Sequence, residues 1–254
     1  MLIHPILDKL RAMRLTGMER ALEEQLQMDD VQSMSFEDRL GLLVDREETE
    51  RASRRLKNRL RTAKLRQAAC VENIDFRHAR NIDRQTVLDL ASCRWITKHH
   101  NLLITGPTGV GKTFLACALG HKACLEGHTV RYLHMPKLLR ELSIARADGR
   151  YAKLLAGLAR TDLIILDDWG MATMADTERR DLYEILEDRD GLRSTAVTSQ
   201  LPIDTWHRVI GDPSLADAIL DRLTSTAYRI DLQGESMRRK RLQLAGQSSR
   251  SEKT

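Results

Sequence analysis

The sequence predicts an α/β fold: a central parallel sheet flanked by helices, preceded by a small all-helical N-terminal domain. Three observations carry this. Short, mostly apolar runs of three or four residues recur after residue 100 (LLI at 102–104, LIIL at 163–166, TAV at 195–197), and each is bounded by turn or polar residues. Stretches with helical apolar spacing separate these runs, an alternation that builds parallel sheets. The first 67 residues, by contrast, show only helical periodicity.

The N-terminal part reads as follows. Ile3, Ile6, Leu7, Leu10, Met13, Met18, Ala21, Leu22 and Leu26 form a helical stripe with a break near Thr16-Gly17. Ser35 with Asp38 three residues on is a capping signal that opens a second helical region. Leu40, Leu43 and Val44 make its apolar start, and the stripe narrows to Ala52, Leu56, Leu60 and Ala63. A helix from Phe36 to Gln67 would be roughly 48 Å long. Its acids stop at Glu50, while basic residues run on from Arg51 through Arg54, Arg55 and Arg59 to Arg66. Such a run is expected to remain unpaired within the chain and to meet DNA phosphates or an acidic protein partner. Without aromatic residues in it, base stacking is not expected.

The region from Cys70 to Trp95 reads as an entry segment, with Asn73 to Phe76 extended and Arg84 to Ile96 helical. Next comes the segment with the most chemistry. Leu102 to Ile104 predict a buried strand, Gly106-Pro107-Thr108-Gly109-Val110-Gly111-Lys112-Thr113 match the phosphate-binding loop pattern, and Phe114 to Ala123 continue as a helix. Glycines let backbone N–H groups turn towards phosphate oxygens, and the positive end of the helix dipole favours the anion. Lys112 is the expected contact to the β- and γ-phosphates, and Thr113 offers a hydroxyl to Mg²⁺. Together with Phe114 these residues predict a nucleoside triphosphate site.

Beyond it, Thr129 to Leu133 predict a strand, Pro136 starts a helix, Asp148-Gly149 turn the chain, and Tyr151 opens another helix. The strand at 163–166 runs into Asp167 and Asp168, the carboxylate pair expected to hold Mg²⁺ (Asp167) and to orient an attacking water (Asp168). Asp176 to Glu187 read as a helix and Ser194 to Ser199 as a strand, with Gln200 or Ser199 at its tip as a polar contact to the γ-phosphate or the water. Pro213 to Leu223 form a helix carrying Arg222, Tyr228 to Leu232 a last strand, and Ser236 to Leu244 a last helix with Arg238 and Arg239. Residues 246–254 read as a disordered tail, so the expected division is 1–68, 69–245 and 246–254.

Composition limits the function classes. The chain has 254 residues, a net charge of +5 and a pI near 9.1, which permits a nucleic-acid partner without requiring one. No apolar run has transmembrane length, and the N-terminus lacks the pattern of a signal or transit peptide. The four cysteines show no metal-binding spacing, which points to reduced thiols and a cytoplasmic protein.

The words NLLITGPTGVGKTFLACALG, LIILDDWG, TSQLPIDTWH and DAILDRL, in this order, resemble the AAA+ ATPase module over residues 70 to 245. Within that superfamily the chain resembles the IstB-type transposition helpers of bacterial insertion sequences, relatives of the DnaC-type helicase loaders. The resemblance implies Lys112 and Thr113 as the Walker A pair, Asp167 and Asp168 as the Walker B pair, and Gln200 in the sensor position. It also implies Arg222 as an arginine finger acting on a neighbouring subunit and Arg238, or Arg239, as the lid arginine. The chain departs from the common pattern in having Asp-Asp for Asp-Glu and glutamine for the sensor asparagine. The implied activity is ATP hydrolysis by a homo-oligomer on duplex DNA, with little sequence preference, that recruits or activates a cognate transposase; the same chemistry would serve a helicase loader. A small-molecule kinase is disfavoured by the trans-acting arginine candidate and the basic helix. An architectural DNA-binding protein would bind ATP without turnover. Arg146, Arg150 and Lys153 compete with the N-terminal basic helix for the DNA path.

Overall fold

The computed structural model describes residues 5–77 and 80–237. The chain divides into two compact units, Met1–Arg59 and Leu60–Thr254.

The first unit is helical. α1 (Pro5–Ala12) and α2 (Thr16–Leu26) are separated by a turn in which Arg14 takes a positive φ, and α3 begins at Phe36. Ser35 caps α3: its hydroxyl accepts from the Asp38 N–H at 3.1 Å and donates to the Asp38 carboxylate at 2.8 Å. Residue 17 has to be glycine, because a Cβ there would stand 2.6 Å from the Glu47 Cα and 2.7 Å from the Arg46 carbonyl oxygen. At this crossing the buried Glu47 carboxylate accepts from the backbone N–H groups of Gly17 (2.7 Å) and Met18 (3.2 Å) and from Arg51 Nε (2.6 Å). Two orphan donors at the start of α2 are thereby satisfied by a side chain thirty residues away. Burial pushes the Glu47 carboxyl up, but the arginine and the two amides outweigh it and hold its pKa below the ordinary 4.5.

α3 ends at Ala63, the last residue of its apolar stripe and four residues before the expected end at Gln67, where Lys64 adopts a positive φ of 48°. Leu65, just past the helix end, serves the second unit. It lies 3.2 Å from where a Cβ of Gly120 would be, so it packs on the helix of the nucleotide loop. Leu40 and Val44, expected to begin an apolar face, are 41% and 50% exposed.

The second unit is an α/β domain. Val71–Asn73 form a 3-10 turn, so that of the segment expected to be extended only Asn73 is drawn into a turn, and Ile74 after it is extended. The expected helix from Arg84 to Ile96 breaks into α4 (Arg84–Ala91) and α5 (Arg94–Thr97), since Cys93 takes a φ of 57°. β1 (Asn101–Thr105), α6 (Lys112–Leu125), β2 (Val130–His134), α7 (Met135–Ala147), α8 (Tyr151–Arg160) and β3 (Leu163–Trp169) follow. Then come α9 (Asp176–Glu187), β4 (Ser194–Ser199), α10 (Trp206–Ile210), α11 (Pro213–Thr224) and β5 (Ala227–Asp231). All pairings are parallel, in the order β2-β3-β4-β1-β5. The central strands β1 and β4 are buried throughout, which is why they read as continuous apolar or small-residue runs. Strand order places the C-terminal ends of β1, β3 and β4 side by side, the position at which open α/β sheets bind ligands.

Two buried pins hold this edge and the opposite one. Trp169 at the end of β3 and Trp206 at the start of α10 are fully buried with ring centroids 5.2 Å apart, and the Trp206 indole donates to the Leu201 carbonyl. This fixes the chain leaving β4 against the end of β3. At the other edge the buried Arg189 donates to the carbonyls of Leu158, Thr161 and Ser194, and burial lowers its pKa. Cys93, Cys117 and Cys124 are buried free thiols and Cys70 is half-buried; burial raises the pKa of Cys93 to about 11 and also that of Cys117. Among the described residues no helix is long and apolar enough to cross a membrane.

Candidate nucleotide site

The phosphate loop leaves β1 at Thr105. Leu232, just past β5, donates its N–H to the Thr105 carbonyl at 2.8 Å, and its own carbonyl oxygen would stand 2.1 Å from a Cβ on residue 106. Gly106, with φ 138°, is therefore required both for its conformation and for this contact. Gly111 is the left-handed cap of α6, so the free N–H groups of the first helical turn face the loop. Lys112 is 7% exposed, and its ammonium donates to the Gly106 and Pro107 carbonyls at 2.6 and 2.9 Å. The charge of the loop is thus positioned by the loop itself.

β3 supplies the carboxylates by breaking its own regularity. Successive residues of a strand point to opposite faces, yet Asp167 and Asp168 face one site. The register between β3 and β4 shifts between Leu166 and Trp169, and Asp168 takes a φ of 63°, a conformation Asp tolerates better than most residues. Asp167 is fully buried. Its Oδ1 accepts from Thr113 Oγ1 (2.8 Å) and Thr198 Oγ1 (2.5 Å), and its Oδ2 accepts from the Tyr132 hydroxyl and from Arg66 at 3.2 Å. Asp168 Oδ2 lies 3.3 Å from the same Arg66 nitrogen and 3.2 Å from His134 Nε2. The Arg66 pKa is raised, first through Tyr132 and further by Asp167, so the guanidinium is charged at neutral pH. Burial and the Asp167 carboxylate raise the pKa of the Tyr132 hydroxyl, which remains a donor.

Asp168 and Arg66 border a cavity of about 470 Å³. Lys112, Thr113, Phe114, Thr108, Asp168 and Gln200 line it, with Arg66, Gln67, Asn73, Asp75 and Arg80 on other sides. The Gln200 amide oxygen accepts from Thr108 Oγ1, and its nitrogen lies 3.3 Å from the Met171 sulfur, so the tip of β4 is joined to the phosphate loop. Ser199, the alternative to Gln200, instead donates to the Trp169 carbonyl and is buried away from the cavity. Arg80, 7% exposed, donates to the Val110 carbonyl at 2.9 Å and braces the loop from beneath. The hydroxyl of Thr113 and the carboxylate of Asp167 are hard oxygen donors in contact, a set that suits Mg²⁺. Among the described residues no group of three or more His, Cys, Asp or Glu side chains is placed to hold a metal.

Other expected residues lie elsewhere. Arg222 on α11 is bound within its own chain: it pairs with Glu187, stacks over Tyr183 at 4.9 Å and donates to the Ala218 carbonyl at 2.9 Å. Arg238 and Arg239, with the helix expected to carry them, lie outside the described residues. The run from Arg51 to Arg66 is not free of partners, contrary to the expectation from its sequence. Arg51 pairs with Glu47, Arg54 donates to Thr16 Oγ1 at 2.6 Å, and Arg66 serves the carboxylate pair; Arg55 is exposed. Arg146 is paired with Asp181 and stacked on Tyr151, and Arg150 is paired with Asp148, whereas Lys153 is exposed. Arg80, Tyr132, His134 and Thr198 were not singled out from sequence, and Arg66 was read only as the end of the basic run. Only His134, at a strand end level with Asp167, carried a readable positional signal.

A glycine loop opening a helix, with an acidic strand end beside it in a parallel sheet, defines a P-loop nucleotide-binding fold. The chain belongs to the IstB-like ATP binding protein family, whose profile matches residues 8–245. It is 52% identical over 239 residues to a Sinorhizobium fredii protein named as an insertion sequence ATP-binding protein, covering 94% of this chain and 98% of that one. A protein so named for the insertion sequence IS21 of Pseudomonas aeruginosa is 30% identical over 244 residues, 96% of this chain and 92% of that one. Among solved structures the DnaC helicase loader superposes with a TM-score of 0.54 at 20% identity, covering 67% of this chain and 99% of that one. DnaI superposes with a TM-score of 0.55 at 24% identity, covering 65% and 91%. These two likenesses concern the fold.

Proposed function

We propose that this protein hydrolyses ATP with Mg²⁺, and that it does so as a homo-oligomer on duplex DNA to recruit or activate the transposase of its insertion sequence. The observation that supports hydrolysis is the bulge in β3. It turns Asp168 onto the same site as Asp167, beside Lys112 and Thr113, so that one carboxylate is buried and bonded while the other is 24% exposed. The buried, fully bonded Asp167 suits a metal ligand. The exposed Asp168 suits a group that orients water. Thr113 and Asp167 would hold Mg²⁺, which supplies charge neutralisation at the β- and γ-phosphates. Lys112 would release its loop carbonyls for the phosphate oxygens, and Gln200 would bear on the terminal phosphate or the water.

The experiment compares wild type with Asp168→Asn and Lys112→Ala for ATP binding and for phosphate release, with and without duplex DNA. Asp168→Asn should bind ATP normally and lose most turnover, whereas Lys112→Ala should lose affinity. Wild-type turnover in Asp168→Asn would remove Asp168 from the reaction. DNA binding without any turnover in wild type would favour an architectural role. The helicase-loader reading, supported by the DnaC-like fold, predicts that the N-terminal region captures a replicative helicase rather than a transposase.

A further inference from the structure

A second cleft, of about 410 Å³, opens along β2, an outer strand of the sheet, on the other side of Arg66 from the nucleotide cavity. Lys64, Arg66, Arg131, His134 and Lys137 line it, against one acid, Glu141. Among the described residues Lys64, Arg131 and Lys137 have no carboxylate partner, and the buried Nδ1 of His134 has no hydrogen-bond partner. Three unpaired positive charges (Lys64, Arg131 and Lys137) around one concave surface repel one another, and an anion alongside relieves that repulsion. We propose that this cleft is a binding site for backbone phosphates of nucleic acid, and that Arg66 couples its occupation to the Asp167–Asp168 pair.

The chemistry favours a phosphodiester over a free nucleotide. The aromatic ring in the cleft is that of Tyr132, whose hydroxyl is committed to Asp167. Three unpaired cations beside one tyrosine ring make charge the main offer of the cleft, and contacts of that kind hold a backbone without reading bases. Its position at the sheet edge leaves a passing strand room to enter and leave. Arg66 supplies the link, because its guanidinium touches both carboxylates and also lines the cleft. A phosphate in the cleft competes for that guanidinium and draws it off the carboxylates, leaving them freer for a divalent cation. DNA binding would then promote Mg²⁺ binding at the nucleotide site. The inference rests on the reading of this chain as a DNA-binding ATPase and adds where the backbone sits.

The test measures affinity for a mixed-sequence duplex against salt concentration in wild type, in Arg131→Gln/Lys137→Gln and in Lys137→Glu. Two lost phosphate contacts should flatten the log–log salt slope by about 1.8, which corresponds to roughly 30-fold weaker binding at 0.15 M salt if ionic contributions vanish near 1 M. Nucleotide affinity and thermal unfolding should be unchanged in the double variant. Duplex should also lower the Mg²⁺ concentration needed for nucleotide binding in wild type and not in that variant. If wild type binds duplex and both variants match it in slope and affinity, the cleft is not the site. Unchanged Mg²⁺ dependence of wild type with duplex bound would overturn the coupling. Retained duplex binding with lost self-association would assign the cleft to carboxylates of a neighbouring copy instead. Wild type that binds no duplex would defeat the proposed function itself, a result distinct from all of these.

Discussion

Replacing Arg66 by alanine is the most direct probe of the metal site. In the structure its guanidinium holds two carboxylates, at 3.2 Å from Asp167 and 3.3 Å from Asp168, with its own side chain 46% exposed. A divalent cation on Asp167 must displace or repel that charge, so the ion pair opposes metal binding by the free energy needed to break it. Fully buried charge-assisted hydrogen bonds contribute about 1.5–3 kcal/mol, and exposed pairs about 0–1. Half exposure puts this contact at about 1–2 kcal/mol. Removing it should therefore lower the Mg²⁺ concentration for half-maximal nucleotide binding by about 5- to 30-fold, since 1.4 kcal/mol is a factor of ten. Asp167 keeps Thr113, Thr198 and Tyr132 as donors, so no buried carboxylate is orphaned and the fold should survive. The assay is a Mg²⁺ titration of fluorescent nucleotide binding, with Arg66→Lys as an intermediate case. An unchanged or increased Mg²⁺ requirement would refute the argument and place Arg66 on the phosphates rather than in competition with the metal.

Three further outcomes are expected. Glu47→Gln should destabilise the N-terminal unit by about 2 kcal/mol, read by urea unfolding, because charge-assisted bonds to two backbone amides and Arg51 are weakened. The folded pKa of Glu47 lies below its ordinary 4.5, so its stabilisation is present above 4.5 and is lost as pH falls through the folded value; the variant should lack this part of the acid sensitivity. Gly106→Ala should abolish nucleotide binding and lower the melting temperature, since the left-handed φ and the Leu232 carbonyl both oppose a Cβ; an unchanged melting temperature would contradict the contact. If Arg222 acts on a neighbour, Arg222→Ala and Asp168→Asn should each lose most ATPase activity, by about 10³-fold or more for the arginine, and regain part of it when mixed. Mixing without recovery, in variants that still co-assemble, would leave Arg222 to its observed partners Glu187 and Tyr183.

The sequence by itself determined the alternation of strand and helix, and with it the parallel sheet. Buried parallel strands must be apolar on both faces, and LLI, LIIL and TAV carry that requirement in their composition. It also determined the phosphate loop, because glycines, lysine and threonine at fixed spacing are needed locally, within one turn and one helix N-terminus. Boundaries shifted where single residues left the helical region of the backbone: Lys64 ends α3 before the expected Gln67, and Cys93 breaks a helix whose apolar spacing continues. Only the tertiary structure decided what surrounds Asp167. Arg66 reaches it from 101 positions away, Tyr132 from 35 and Thr198 from 31, and no local pattern announces partners at such distances. The same holds for the basic run. Its charge was legible, but which arginines are neutralised depends on helices and strands that meet only when the chain folds, and that is why Arg66 faces the carboxylates rather than open solvent alone.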